Sequence, residues 1–389
     1  MNADEVNGNL AAWVYNRLKW WIFGYHETGD GSLSTTLDLS ELNSKIGQLF
    51  MAGIPGPHMD EGTEKLIRNY NLGGIILFSR NIEDPIQLTM LCLDLQKTAM
   101  KYQGSPLFLA VDQEGGRVAR LEEPFTRFPG NTEMGRDENP IDRATEFGRI
   151  TAKEMRMVGL NMNLAPVVDV QRGEAEKHLV GRTFGEDPKK VALLGKTVVR
   201  ALQENHVMAV AKHFPGLGRT SLDPHFHLPR IDVDRKEMEE FNLPPFEAAI
   251  NEGVSAIMTS HAIYPAVDSE RPATLSPAVL THLLREKMGF EGLIITDDLE
   301  MGAIAGNWGV EHGAAAAFEA GADILLICKD QTNVFKSLRL LRSKLIKGEI
   351  PFQRLHQSDR RIVKARSRLQ SYEEDVSLDN VKKYFKINI

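Results

Sequence analysis

Cysteine is nearly absent from this 389-residue chain, whose only two thiols, Cys92 and Cys328, stand far apart. That spacing builds neither a disulfide framework nor a zinc site. It suits a reducing compartment, so a cytoplasmic protein without a metal is expected. Positive charge is also short, with a net charge of -7 when histidine is neutral. This removes the electrostatic case for nucleic acid or an anionic membrane as a partner, while leaving room for a local basic pocket. No apolar run reaches the length of a membrane span. Tryptophan is scarce too: of four in the chain, three (Trp13, Trp20, Trp21) fall in one stretch interrupted by Arg17 and Lys19. The stretch lacks the continuous apolar core and small-residue cleavage site of a signal peptide. It reads as an extra helix that lays its aromatic face on the body of the protein or on a second subunit. The alternative is an interfacial membrane anchor, since tryptophan beside basic residues suits a headgroup region. Residues Gly29–Thr36, rich in Gly, Ser and Thr, read as a linker that sets 1–36 apart from 37–389.

What is present is an ordinary globular composition, 42% hydrophobic and 25% charged, long enough for a large core. From Ser40 onward, short apolar strands alternate with amphipathic helices. The strands predicted are Gln48–Ala52, Gly74–Phe78, Leu107–Val111, Leu160–Leu164, Val207–Ala211, Ala256–Met258, Leu293–Ile295 and Asp323–Ile327. Helical stretches between them include Pro85–Tyr102, Asp142–Val158, Pro188–Asn205, Lys236–Glu252, Pro277–Lys287 and Asn333–Lys347. Such alternation over about 300 residues predicts an α/β fold, a single (β/α)8 TIM-type barrel. An N-terminal helical extension precedes it, and a single charged helical tail after Arg354 follows. A doubly wound open sheet is the runner-up. It would place a glycine-rich fingerprint after the first strand, whereas the Gly115-Gly116 pair follows the third and has the wrong spacing.

Ionisable residues close nearly every strand. Asp112 ends the third, Asn163 and Asp169 follow the fourth, Lys212-His213 ends the fifth, Ser260-His261 the sixth, Asp297-Asp298 the seventh and Lys329 the eighth. In a barrel these positions converge on the C-terminal rim, where active sites are built. Strand ends are also simply where chains turn polar, which explains the polarity but less well the repeated charge. The loop after the fifth strand carries Asp223 two residues before His225. In an extended segment both side chains point the same way, so the carboxylate can hold the imidazole and favour its protonated form.

Five segments together carry a resemblance: Val111-Asp112-Gln113-Glu114-Gly115-Gly116-Arg117-Val118-Ala119-Arg120, Gly181-Arg182-Thr183-Phe184, Lys212-His213-Phe214-Pro215-Gly216, Asp223-Pro224-His225 and Ile295-Thr296-Asp297-Asp298-Leu299. In this order the set resembles family 3 glycoside hydrolases, and more narrowly the bacterial β-N-acetylhexosaminidases that recycle peptidoglycan. The similarity runs from about Lys45 to Cys328. The resemblance implies a retaining exo-β-N-acetylglucosaminidase acting on muropeptides. Asp297 is then the nucleophile, and His225 the general acid/base oriented by Asp223. Asp112, Arg120, Arg182, Lys212 and His213 match the positions that grip the terminal N-acetylglucosamine. No cofactor is implied, and the partner is a carbohydrate substrate. A strand-borne carboxylate is rigid enough to attack an anomeric carbon, and a loop-borne histidine can protonate the leaving oxygen and then activate water.

Some alternatives stay open. Arg120 and Arg182 could instead brace the rim through ion pairs, for instance with Glu114 or Asp169. A β-glucosidase of the same family, or a non-catalytic sugar-binding barrel, would fit the fold. The first usually takes its acid/base from a second domain, and the second would be expected to lose a catalytic group. Two positions depart from the family pattern, where His and then Asp are common after Pro-Gly; here they are Leu217 and Arg219. If Arg219 points inward, it could help phosphate compete with water as acceptor.

Overall fold

The computed structural model describes residues 39–173, 177–220, 222–369 and 376–387. The Trp-rich stretch, the linker and the division at residue 36 lie outside the described residues. Eight parallel strands form the centre: β1 (Phe50–Gly53), β2 (Gly74–Leu77), β3 (Phe108–Val111), β4 (Met162–Asn163), β5 (Met208–Phe214), β6 (Ala256–Thr259), β7 (Leu293–Ile295) and β8 (Leu325–Ile327). They pair in sequence order, and β1 also pairs with β8, with Phe50 opposite Leu325. The seam between β7 and β8 is closed by Asp323 N–H on the Ile294 carbonyl (2.7 Å) and Thr296 N–H on the Ile324 carbonyl (3.0 Å). The barrel expected from the alternation is therefore there, and the open sheet is not.

The strands are buried along their whole length, which is why they read as unbroken Val/Ile/Leu/Ala runs rather than alternating ones. Strand β4 is shorter than the predicted Leu160–Leu164, and its line resumes as a bridge between Val167 and Lys212. Pro166 lies in the interruption and has no N–H to give a ladder. The helices start where the sequence caps them. Asp84 accepts from the N–H groups of Ile86 and Gln87 ahead of the helix Pro85–Gln103, and Asp187 caps Pro188–Glu204. Additional helices span Glu61–Tyr70, Gly302–Trp308 and Val310–Ala320.

Two expectations need correction. The continuous helix Lys236–Glu252 is broken into Arg235–Glu237, a wider turn Met238–Asn242 and Pro244–Asn251. Prolines at 244 and 245 supply no N–H, and the Leu243 N–H reaches back five residues to Met238. The chain after Arg354 is not a single tail. One helix runs Phe352–Arg366 beneath the barrel, and another, Leu378–Phe385, packs the Phe385 ring 4.7 Å from that of Phe125.

The first of these helices completes the floor. Asp323, fully buried just before β8, accepts from Ser358 (2.6 Å) and Arg361 (3.2 Å), pairs with Arg285, and lies 3.7 Å from Arg354. Burial pushes its carboxyl up, and the three guanidiniums and Ser358 outweigh that and hold it low. At the opposite end, the Gly115-Gly116 pair turns a hairpin (Gln113–Gly115 with Val118–Ala119) at φ of 89° and 58°. A Cβ on Gly116 would stand 2.8 Å from Gly130 Cα. These glycines serve a tight, crowded turn above the rim.

Candidate active site

The rim of β3 and β5 carries a buried charge network. Lys212, with 2% of its side chain exposed, extends its ammonium between Asp112 Oδ1 and Glu114 Oε1, 2.7 Å from each. Burial would push that ammonium down in pKa, but the two carboxylates more than offset it and keep it charged. Arg182 grips Glu114 in bidentate fashion, both bonds 2.8 Å, and donates its remaining terminal nitrogen to the His178 carbonyl (3.0 Å). Glu114 is buried, which raises its pKa, yet Arg182 and Lys212 drive it far below the carboxylate range. Arg120 sits 3.7 Å from Asp112 Oδ2. Both arginines thus make the bracing pairs that the sequence left open, Arg182 with Glu114 and Arg120 with Asp112. A guanidinium has five N–H donors, and the bonds of Arg182 named here use three, so bracing does not exhaust it.

His213 follows Lys212 on β5. Its Nδ1 lies 2.8 Å from Asp169 Oδ2, while Asp169 Oδ1 accepts the N–H groups of His213 (3.2 Å) and Leu217 (2.7 Å). An ionised carboxylate only accepts, so Nδ1 carries hydrogen and Nε2 is left for a ligand. The Leu217 departure is harmless to this arrangement: its contribution is a backbone N–H, and its side chain is buried. Arg219 does not serve as an inward-facing cation. It pairs with Glu237 at 2.5 Å, beside Arg172 at 3.8 Å from the same carboxylate.

Asp297 and Asp298 leave β7 in different roles. Asp298 Oδ1 accepts the N–H groups of Glu300 (3.1 Å) and Cys328 (3.3 Å), tying together the loops after β7 and β8. Burial, with Glu300 and Asp297 nearby, pushes its pKa up to about 6 despite those two bonds. Asp297 Oδ1 accepts only the N–H of Asp298 (2.8 Å), and among the described residues no protein donor bonds its second oxygen. Burial pushes this carboxyl up as well. The His261 and His213 imidazoles, the Asp298 N–H and the Lys212 ammonium outweigh it and hold Asp297 below the usual carboxylate range. It stays ionised, with one oxygen free.

His261, on the loop after β6, is a part of the site that the sequence reading noted only as a strand end. It is fully buried, with Nε2 3.0 Å from the Asp298 carbonyl and Nδ1 2.7 Å from Thr274 Oγ1. A carbonyl can only accept, so Nε2 carries hydrogen, as it can in the neutral ring, while Thr274 Oγ1 itself donates to the Ser260 carbonyl (2.9 Å). Burial lowers its pKa in keeping with that, Asp297 opposing. Glu114, within the segment Val111–Arg120, and Asp169, a strand-end residue, enter the sequence reading as partners that could brace Arg120 or Arg182. Their observed partnerships carry no local signal, because the partners come from other strands and loops.

Above this floor stands the loop of β5. His225 Nδ1 lies 2.7 Å from Asp223 Oδ1, which also accepts the His225 N–H at 2.9 Å. The Asp-x-His pair thus forms as expected, leaving Nε2 of an imidazole that is 56% exposed to meet a substrate. Burial raises the Asp223 pKa, and the bonds from His225, with His178 nearby, lower it further than that. The loop is docked on the chain just after Asp297: Gly302 N–H donates to the His225 carbonyl (2.9 Å) and Ala303 N–H to the Pro224 carbonyl (3.2 Å). A carboxylate just after a strand, a loop-borne imidazole backed by a second carboxylate and a set of buried fixed charges are the kinds of group a barrel glycosidase uses.

Comparison with known proteins agrees. Residues 41–365 match the glycosyl hydrolase family 3 N terminal domain. A Beta-hexosaminidase of Thiobacillus denitrificans is 36% identical over 286 residues, 72% of this chain and 77% of that one. A Beta-hexosaminidase A of Pseudoalteromonas piscicida is 37% identical over 68% of this chain, which spans only 47% of it. Among solved structures, a glycoside hydrolase family 3 beta-N-acetylglucosaminidase of Paenibacillus superposes with a TM-score of 0.83 at 38% identity. The match covers 86% of this chain and 63% of that one. A Beta-N-acetylhexosaminidase of Beutenbergia cavernae is covered to 98% by 84% of this chain, with a TM-score of 0.77 and 27% identity. The chain belongs to glycosyl hydrolase family 3 and is a glycosidase.

Proposed function

We propose that the chain is a retaining exo-β-N-acetylglucosaminidase that removes terminal N-acetylglucosamine from peptidoglycan fragments. The observation that carries this reading is an ionised Asp297, with one oxygen free of protein donors among the described residues, and an Asp223-backed imidazole whose loop docks on the chain just after it. Asp297 attacks the anomeric carbon as His225 Nε2–H gives its proton to the glycosidic oxygen. The aglycone leaves as an alcohol and the sugar is held as a glycosyl ester. His225 then takes a proton from water, the resulting hydroxide attacks the same carbon, and the carboxylate of Asp297 departs. Two displacements return the β configuration. Asp112, Lys212, Arg120, Arg182 and His213 supply directional charge-assisted bonds to the sugar hydroxyls and the acetamido carbonyl.

The names of the relatives support N-acetylhexosamine as the sugar. The peptidoglycan aglycone rests on the resemblance of the five sequence segments. Among the described residues no helix is long and apolar enough to cross a membrane. Cys92 and Cys328 are free, buried thiols with raised pKa, which need no oxidising compartment and fit a cytoplasmic location. The test is turnover of 4-nitrophenyl N-acetyl-β-glucosaminide against the β-glucoside, followed by purified muropeptide, with the first-formed anomer read by proton NMR. Release of β-N-acetylglucosamine is expected. Preference for the glucoside, or an α product, overturns the reading.

A further inference from the structure

The loop that presents His225 also carries a phenyl ring that is largely exposed. Phe226 is 73% exposed, although its backbone is fixed: its N–H and that of His227 both donate to the Asp223 carbonyl at 3.1 Å. Its ring centroid lies 6.4 Å from the His225 imidazole, the two planes inclined at 50°. Leu222 on the same loop (43%) and Val180 on the loop that carries Arg182 (53%) are two more of the large apolar side chains left in water. His178, two residues before Val180, is one of the groups whose charge acts on the Asp223 carboxyl. Apolar surface held on an ordered turn at a site's mouth marks a place for a ligand's apolar face.

We propose that Phe226 is the platform for the leaving-group side of the substrate, stacking on the carbon-hydrogen face of a second pyranose ring. The inference rests on the acid/base reading of His225. Because Nε2 protonates the glycosidic oxygen, the departing sugar has to lie on the outer side of the imidazole. The next residue of the chain, Phe226, holds its exposed ring 6.4 Å from that imidazole. An aromatic ring suits this occupant: it is rigid, and it offers a broad apolar face to a ring whose hydroxyls stay in water. The charged pocket beneath recognises the sugar that stays, whereas Phe226 recognises the sugar that leaves.

The test compares two substrates with similar alkoxide leaving groups, N,N′-diacetylchitobiose and methyl N-acetyl-β-glucosaminide, in Phe226→Ala and Phe226→Trp. Turnover of the methyl glycoside by the unaltered protein first checks the proposed activity on its own. Phe226→Ala should raise KM for the disaccharide roughly tenfold and leave the methyl glycoside within about twofold, while Phe226→Trp keeps both near normal. An equal loss on both substrates would show that the ring acts only by placing His225. No change on either would show that the leaving sugar passes elsewhere. Both results overturn the platform, even if the glycosidase activity stands.

Discussion

Asp297 and Asp298 are neighbours with opposite surroundings, and substitution separates them. Asp297→Asn should cut kcat/KM on an aryl N-acetyl-β-glucosaminide by roughly three orders of magnitude or more, with unchanged circular dichroism. Asp298→Asn keeps an oxygen to accept from Glu300 and Cys328, so it should retain most of the activity. The stability of the two proteins should differ with pH as well. The raised carboxyl of Asp298 stabilises the fold while it is protonated and loses that contribution as pH rises through about 6. Denaturant titrations at pH 5 and pH 8 should therefore show Asp298→Asn gaining on the unaltered protein at the higher value. At Arg219, the pair with Glu237 removes the attraction an acceptor anion would need. Arg219→Ala should leave the yield of any N-acetylglucosamine 1-phosphate in raised phosphate unchanged by phosphorus NMR.

The sequence showed which residue types stood at which strand ends, because a strand end is a local pattern. It could not show that Glu114 joins Arg182 and Lys212, or that His261 braces the Asp298 carbonyl. Those partners lie 68, 98 and 37 residues apart, brought together only by barrel closure.

At the scale of elements, the acid/base loop depends on a helix start. Gly302, the first residue of Gly302–Trp308, lies so close that a Cβ would meet the carbonyl oxygens of His225 and Phe226 at 2.9 Å. Gly302→Ala should lift the turn off its seat. Activity on a poorly leaving alkyl glycoside is expected to fall at least tenfold more than on an activated aryl one, because protonation matters less for the latter. Equal losses would mean that the turn does not act through His225. The strands were legible because burial on both sides leaves apolar runs that nothing else in the chain resembles. The short helices beside β7 were missed, as Gly302–Trp308 and the alanine-rich Val310–Ala320 show little polar-apolar alternation. The break before Pro244 was visible as a proline pair but was read as the continuation of an amphipathic pattern.

For the molecule as a whole, two buried carboxylates that contribute to acid stability are Glu114 above the barrel and Asp323 below it. Both are held below their ordinary values, so their contribution is complete above about pH 4.5 and is lost as pH falls through the depressed values. Thermal melting should accordingly stay flat from neutrality down to about pH 5 on their account and fall steeply below pH 4. Asp323→Asn leaves the guanidiniums of Arg285, Arg354 and Arg361 around a neutral amide. Removing the charged partner of such a buried group costs about 3–5 kcal/mol, which should appear as a large drop in the urea midpoint.

The floor under the seam sets an order of assembly. The closing hydrogen bonds of β7 to β8 flank Asp323, which Arg285 pairs from ahead of β7 and whose other partners, Ser358, Arg354 and Arg361, all come from the helix after β8. A nascent chain released from the ribosome up to β7 can lay down seven strands in order, yet its first and last sheet edges both remain open. β8 then shuts the ring, and only when the helix Phe352–Arg366 emerges does the buried carboxylate gain Ser358, Arg354 and Arg361 beside Arg285. Until β8 pairs, the growing chain carries two unpaired edges, the kind of surface that chaperones cover.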